Sequence, residues 1–129
     1  MSYREKVSTS AAAAALPQFS QAVKYGGMVY CSGTLGIDPA TDELVSGTVT
    51  DRARVALRNL QATLEAADSS LNRVVKANIF LSTMDDFAAV NIAWDEFFPV
   101  DPKPCRTCVA VAQLPLNTDV EIEMIASHG

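Results

Sequence analysis

A chain of 129 residues is the length of one domain, read here as a single unit over residues 1–129, and 49% hydrophobic with 19% charged residues excludes a disordered chain. Fifteen acidic against ten basic residues leave a formal charge of −5, which repels polyanions at long range and makes nucleic acid a disfavoured ligand. No apolar run reaches the ~18 residues that cross a bilayer, and three cysteines are too odd a number for a disulfide framework. The expected compartment is therefore the cytoplasm, with no membrane partner. The alanine tract Ala11–Ala15 follows Arg4, Glu5 and Lys6 and leaves room only for a mitochondrial pool.

In chain order, Tyr3 to Val7 suggests an extra N-terminal strand, and Ser20 to Tyr25 and Met28 to Leu35 flank Gly26-Gly27 as the arms of a β-hairpin. Ile37 to Asp42 is rich in turn formers. From Thr50 the apolar residues Ala53, Ala56, Leu57, Leu60, Leu64 and Ala67 recur at helical spacing, with Thr48 or Thr50 as N-cap. Arg73 to Leu81 is β-branched and aromatic enough for a strand. Thr83-Met84-Asp85-Asp86 resembles a capping box for a second helix ending near Phe98, before Pro99, Pro102 and Pro104. Cys105 to Val111 and the alternating Val120, Ile122 and Met124 predict a closing hairpin around Gln113 to Thr118. Two helices cover one face of such a sheet, so the expected fold is α+β, and an apolar second face would call for a homo-oligomer.

Few residues in this chain can carry chemistry. Cys105-Arg106-Thr107-Cys108 matches C-x-x-C, but on a strand its two cysteines face opposite ways about 10 Å apart, so they are expected to be buried and structural rather than redox or zinc ligands. The single histidine, His128, lies next to the chain end and makes a nucleophile–histidine pair a poor reading. Ser32-Gly33-Thr34-Leu35-Gly36 lacks the endings of a phosphate loop. Arg106 interrupts an apolar strand and needs an anionic partner, either a salt bridge or a ligand carboxylate. Glu121 and Glu123 share a face with Asp119, which alone describes a solvated edge. Asn91 shares a helix face with Phe87 and Trp94.

Several segments together carry a specific resemblance. Phe19-Ser20-Gln21-Ala22-Val23, Tyr30-Cys31-Ser32-Gly33, Val74-Val75-Lys76, Met84 to Asn91, Pro104 to Val109, Leu114-Pro115 and Val120-Glu121-Ile122-Glu123 stand in the order seen in the RidA/YjgF reactive intermediate deaminase family, over roughly residues 17–126. The resemblance implies a chorismate-mutase-like α+β fold with a mixed sheet, assembled as a homotrimer with its sheets inward and a cleft between each pair of subunits. It implies hydrolytic deamination of reactive enamines and imines, of the 2-aminoacrylate/2-iminopropanoate type, to 2-keto acids and ammonia without a cofactor or metal. Arg106 matches the arginine that holds the substrate carboxylate, and Glu121 the acid that positions or activates water. Phe19, Ser32, Gly33, Asn91 and Cys108 match positions lining the cleft.

The chain departs from the family pattern at three positions. Phe19 stands where tyrosine is common, Thr34 where glutamine is, and Gln113 where arginine often precedes Leu114-Pro115. The competing readings are an endoribonuclease or translation inhibitor, which the acidic balance opposes, and a non-catalytic trimer that binds a metabolite.

Overall fold

The computed structural model describes residues 3–129. Strand β1 (Glu5–Val7) lies antiparallel to β2 (Ala22–Tyr25), which turns through Gly26 and Gly27 into β3 (Met28–Cys31). Both glycines have positive φ, 61° and 80°, the backbone that a two-residue hairpin demands and that other residues resist. A short hairpin of β4 (Ile37–Asp38) and β5 (Glu43–Leu44) occupies the predicted turn region.

Helix α1 (Val49–Ala66) starts at Thr48, the first of the two predicted caps: its hydroxyl accepts from the Asp51 amide at 3.3 Å while Asp51 accepts from the Thr48 amide at 2.9 Å. Leu57, Leu60 and Leu64 are fully buried along one stripe, and burial of such a leucine stabilises the fold by about 1.5–3 kcal/mol each. Strand β6 (Val74–Leu81) follows. Thr83 caps the Asp85 amide rather than that of Asp86, so a 3-10 turn at Met84–Asp86 leads into α2 (Phe87–Phe97).

The last two strands differ from expectation. Strand β7 (Cys105–Ala110) pairs parallel to β6, and β8 (Val120–Ser127) pairs antiparallel to both β3 and β6, giving the order β1-β2-β3-β8-β6-β7. No closing hairpin joins β7 to β8. The cause is α2: a helical crossover returns the chain parallel to the strand it left, which places β7 outside β6 and sends β8 to the middle of the sheet. The sheet is therefore mixed, and β7 is an edge while the acidic strand is not.

Alternation along β8 and β6 divides the two faces. Val120, Ile122, Met124, Ala126, Ala77, Ile79 and Leu81 are buried with the helix residues in one core. The opposite face carries Tyr30, Phe80, Val109 and Ile125, of which Tyr30 and Val109 are 43% and 42% exposed in the single chain. No helix of the described residues is long and apolar enough to cross a membrane.

Candidate active site

Arg106 sits on β7 opposite Ala77 of β6, and because neighbours in register share a face, its side chain rises on the helix side. There α2 presents Phe87, Asn91 and Trp94, spaced four and three residues apart and so aligned along one stripe. The guanidinium carbon stands 5.0 Å from the Trp94 ring centroid and 5.5 Å from that of Phe87, and Nη1 donates to Asn91 Oδ1 at 2.7 Å. Trp94 is itself braced by Phe98, stacked at 4.2 Å. Among the described residues no carboxylate pairs with Arg106. A full positive charge is thus positioned entirely by neutral groups, with the remaining N–H donors available to an incoming carboxylate.

Cys108 lies two residues further along the same side, half-buried, and burial pushes its thiol pKa up against the opposing pull of Arg106. A thiol held protonated in this way is a poor nucleophile. Cys31, pushed up to about 12 by burial, is inert in the same way. The expectation of a buried cysteine pair fails at Cys105, which is exposed: β7 is an edge strand, and alternation turns Cys105 to the open face. The two sulfurs do face opposite ways, as strand geometry requires. Among the described residues no cluster of His, Cys, Asp or Glu could hold a metal.

Glu121 is opposite Phe80 on β8, on the open face of a central strand rather than at a solvated edge. Its neighbour across the chain is Gly33, where a methyl group would collide with the Glu121 carboxylate, so only glycine permits this approach. The segment holding Gly33 is fixed on both sides. Ser32 Oγ donates to Ser20 O at 2.6 Å, and Thr34 exchanges two backbone hydrogen bonds with Ile122, at 2.8 and 3.0 Å. Burial and the like charge of Glu123 hold the Glu121 carboxyl above the usual glutamate range. No cation among the described residues pairs with it. Asp119 does not join this acidic pair: both its oxygens accept from Arg52 at 2.8 Å, and that guanidinium lowers its pKa.

Glu121, Gly33, Ser32 and Phe19 line a cavity of about 480 Å³ together with residues 12–16, Asn59, Thr63 and Leu116. Arg106, Asn91 and Cys108 do not line it. The predicted site residues therefore form two clusters, Phe19/Ser32/Gly33/Glu121 and Asn91/Arg106/Cys108, with Glu121 and Arg106 on opposite faces of the sheet in one chain.

Two residues that shape the cavity escaped the sequence reading. Gln21 accepts from the Thr9 amide at 2.8 Å and donates to the carbonyls of Thr9 at 3.0 Å and Ala13 at 2.8 Å. Asn59, only 2% exposed, accepts from the Ala13 amide at 3.2 Å and donates to Ile37 O at 2.8 Å. Together they pin the loop of residues 9–16 as the cavity wall. An asparagine among Ala56, Leu60 and Thr63 on the apolar side of α1 was the signal for one of them.

Comparison with known proteins places this geometry in context. The model of the family described as Endoribonuclease L-PSP matches residues 9–128. The 2-iminobutanoate/2-iminopropanoate deaminase of Dermatophagoides farinae is 42% identical over 125 residues, spanning 97% of each chain. Protein mmf1, mitochondrial, of Schizosaccharomyces pombe is 51% identical over 111 residues, 84% of this chain and 67% of that one. E. coli TdcF, solved with bound serine, superposes with a TM-score of 0.90 at 35% identity, covering 97% of this chain and 99% of that one. By the extent of the family match and by these relatives, the chain belongs to the endoribonuclease L-PSP family, the RidA/YjgF group that its sequence motifs resemble.

Proposed function

We propose that the protein hydrolyses reactive 2-imino acids, of the 2-iminopropanoate and 2-iminobutanoate type, and their enamine tautomers, to 2-keto acids and ammonia. The observation that carries this reading is the Arg106 guanidinium, charged, aligned by Asn91, Trp94 and Phe87, and without a carboxylate partner among the described residues. The relative named as a deaminase of such imines and the solved relative with an amino acid bound support a small carboxylate ligand.

The separation of the two clusters supports a site shared between chains. The chain, one chorismate-mutase-like domain, assembles as a homotrimer through the open sheet face of Tyr30, Phe80, Val109 and Ile125, whose apolar area calls for a partner. Each cleft then joins Glu121 of one protomer to Arg106 of the partner subunit. The mitochondrial name of one relative supports a mitochondrial pool beside the cytoplasmic one.

Chemically the site has modest work to do. An imine carbon is already electrophilic, so catalysis reduces to orienting the anion and delivering water. Arg106 grips the carboxylate, and Asn91 fixes the angle of its planar fork. Glu121 accepts a proton from water as the oxygen adds to C2 and passes it to the imine nitrogen, giving a carbinolamine; it then takes the hydroxyl proton and returns it to the amine, which leaves as ammonia as the C–N bond breaks and the keto carbonyl forms. No redox change or cofactor enters this balance. The RNA-directed reading is opposed by the −5 charge.

The test couples the purified protein to a serine or threonine dehydratase and follows imine decay. Decay accelerated by the wild type and reduced about 100-fold or more in kcat/KM by Arg106→Ala is expected, since a charge-assisted contact has no replacement. Decay no faster than without protein would falsify the assignment.

A further inference from the structure

We propose that Arg52 is a positioning residue for Glu121: through Asp119 it fixes the N-terminal end of β8 and cancels a negative charge two residues from the glutamate. The proposal rests on the reading of Glu121 as the base that takes a proton from water. Asp119, Glu121 and Glu123 put three carboxylates within five residues, and only Asp119 has a counter-ion among the described residues.

The pair is held from several directions. Nε and Nη2 of Arg52 donate to the two oxygens of Asp119, each at 2.8 Å, the bidentate form that fixes a carboxylate in one plane. Nη1 donates to the carbonyls of Val45 at 3.1 Å and Gly47 at 3.2 Å, which ties the guanidinium to the connection between β5 and α1. At Gly36 a methyl group would strike the Arg52 backbone, so the segment that carries Gly33 and Thr34 runs directly against the first turn of α1. Thr34 in turn is bonded to Ile122, next to Glu121. One arginine therefore braces both walls of the place where Gly33 meets the Glu121 carboxylate.

The pair is also neutral wherever Glu121 titrates. An arginine keeps its proton, and the guanidinium lowers the Asp119 pKa while burial and Glu123 raise that of Glu121, so Asp119 is ionised before Glu121 is. Without Arg52, Asp119 becomes a half-buried anion whose Cα is at most roughly 7 Å from that of Glu121, and it opposes ionisation there as Glu123 already does. The other charges around Glu121 are few. Phe80 faces it from β6 and Gly33 from the end of β3, and neither is charged. Lys76, further along β6, donates to Thr107 Oγ1 at 3.0 Å. Asp42 lies exposed at the cavity margin, Asp51 and Asp86 act on Arg52 itself, and in the shared cleft Arg106 of the partner subunit approaches. All of these stay in place when Arg52 or Asp119 is replaced, so a shift that follows the replacement belongs to the pair.

The experiment compares Arg52→Gln, Asp119→Asn and the double variant with wild type, as assembled full-length proteins, by two readings of Glu121. One is the acid limb of kcat/KM for imine hydrolysis; the other is the carbon-13 shift of its side-chain carboxyl through a pH titration, assigned by its loss in Glu121→Gln. Arg52→Gln leaves an anion and should raise both midpoints by about half a pH unit or more. Asp119→Asn leaves a cation and should lower them by about as much, and the double variant leaves neither and should return them to wild type. A role confined to holding the fold lowers melting temperatures and leaves the midpoints unmoved; that result in the folded single variants overturns the proposal, as do shifts of one sign in both. Should Arg52→Gln not fold, the downward shift in Asp119→Asn and its cancellation in the double variant decide. If the wild type hydrolyses no imine, the hydrolase reading fails, and the carboxyl titration by itself decides whether the pair governs Glu121.

Discussion

At Arg106, a cation held by neutral partners differs from one held by an acid in what it can still bind. Asn91 aligns the guanidinium without spending its charge. Replacing Asn91 with aspartate keeps the geometry and supplies a counter-ion, so Asn91→Asp should raise KM for the imine at least tenfold by competing with the substrate carboxylate, while Asn91→Ala loosens the fork and lowers kcat/KM less. Steady-state kinetics on the two variants separates these effects; equal KM values would argue that Arg106 does not meet the carboxylate. Glu121 gives a second test with a definite sign. Its folded-state pKa is raised by burial and by Glu123, so the ionised form is disfavoured in the folded protein. The stability this residue gives is present below the unfolded value near 4.5 and is lost as pH rises through the raised folded value. Glu121→Gln should therefore lose activity yet melt at a higher temperature than wild type at pH 7, with the gap closing below about pH 4. The acid limb of kcat/KM should lie above the ordinary glutamate range, and Glu123→Gln should move it to lower pH. A Glu121→Gln protein less stable than wild type at pH 7 would contradict this account of the carboxylate.

Among the elements, the segment Ser32–Thr34 shows how a strand end becomes part of a site. It is bonded to Ser20 on one side and to Ile122 on the other, which brings Gly33 against the Glu121 carboxylate. Gly33→Ala should displace that carboxylate and reduce kcat at least tenfold, with the melting temperature within a few degrees of wild type; a crystal structure of the variant would show whether Glu121 has moved. Local patterns were readable in the sequence where a local cause sets them: Gly26-Gly27 makes its hairpin, Thr48 and Asp51 start α1, and the prolines after Phe98 stop α2. The sequence failed to disclose the placement of the last two strands. Cys105–Ala110 and Val120–Ser127 both read as strands, but whether they pair with each other or with β6 depends on the crossover through α2, which no local pattern encodes. The same limit hid the environment of Glu121, since an acidic face looks alike on an edge strand and on a central one. The aromatic bed of Arg106 was partly legible, through the helical spacing of Phe87, Asn91 and Trp94. Its match with an arginine on another element became visible only in three dimensions.

For the whole molecule, a shared site needs the two clusters to meet between subunits, because within one chain Arg106 and Glu121 stand on opposite faces of the sheet. The open face carrying Tyr30, Phe80, Val109 and Ile125 supplies the means, and a mass three times the 13.8 kDa of the chain is expected in solution. Placing a charge there, as in Val109→Glu, should dissociate the assembly and abolish imine hydrolysis together, read by light scattering and by the coupled assay. The most direct measurement mixes two inactive proteins. Arg106→Ala and Glu121→Ala are unfolded together in equal amounts, refolded to allow subunit exchange, and assayed against each variant refolded alone. In a mixed ring, a Glu121 from one kind of chain meets an Arg106 from the other in one cleft of three, so random assembly should restore roughly a quarter of wild-type activity. Mixed assemblies that stay as inactive as the separate variants would mean that one chain holds both residues of its own site, contrary to the shared cleft.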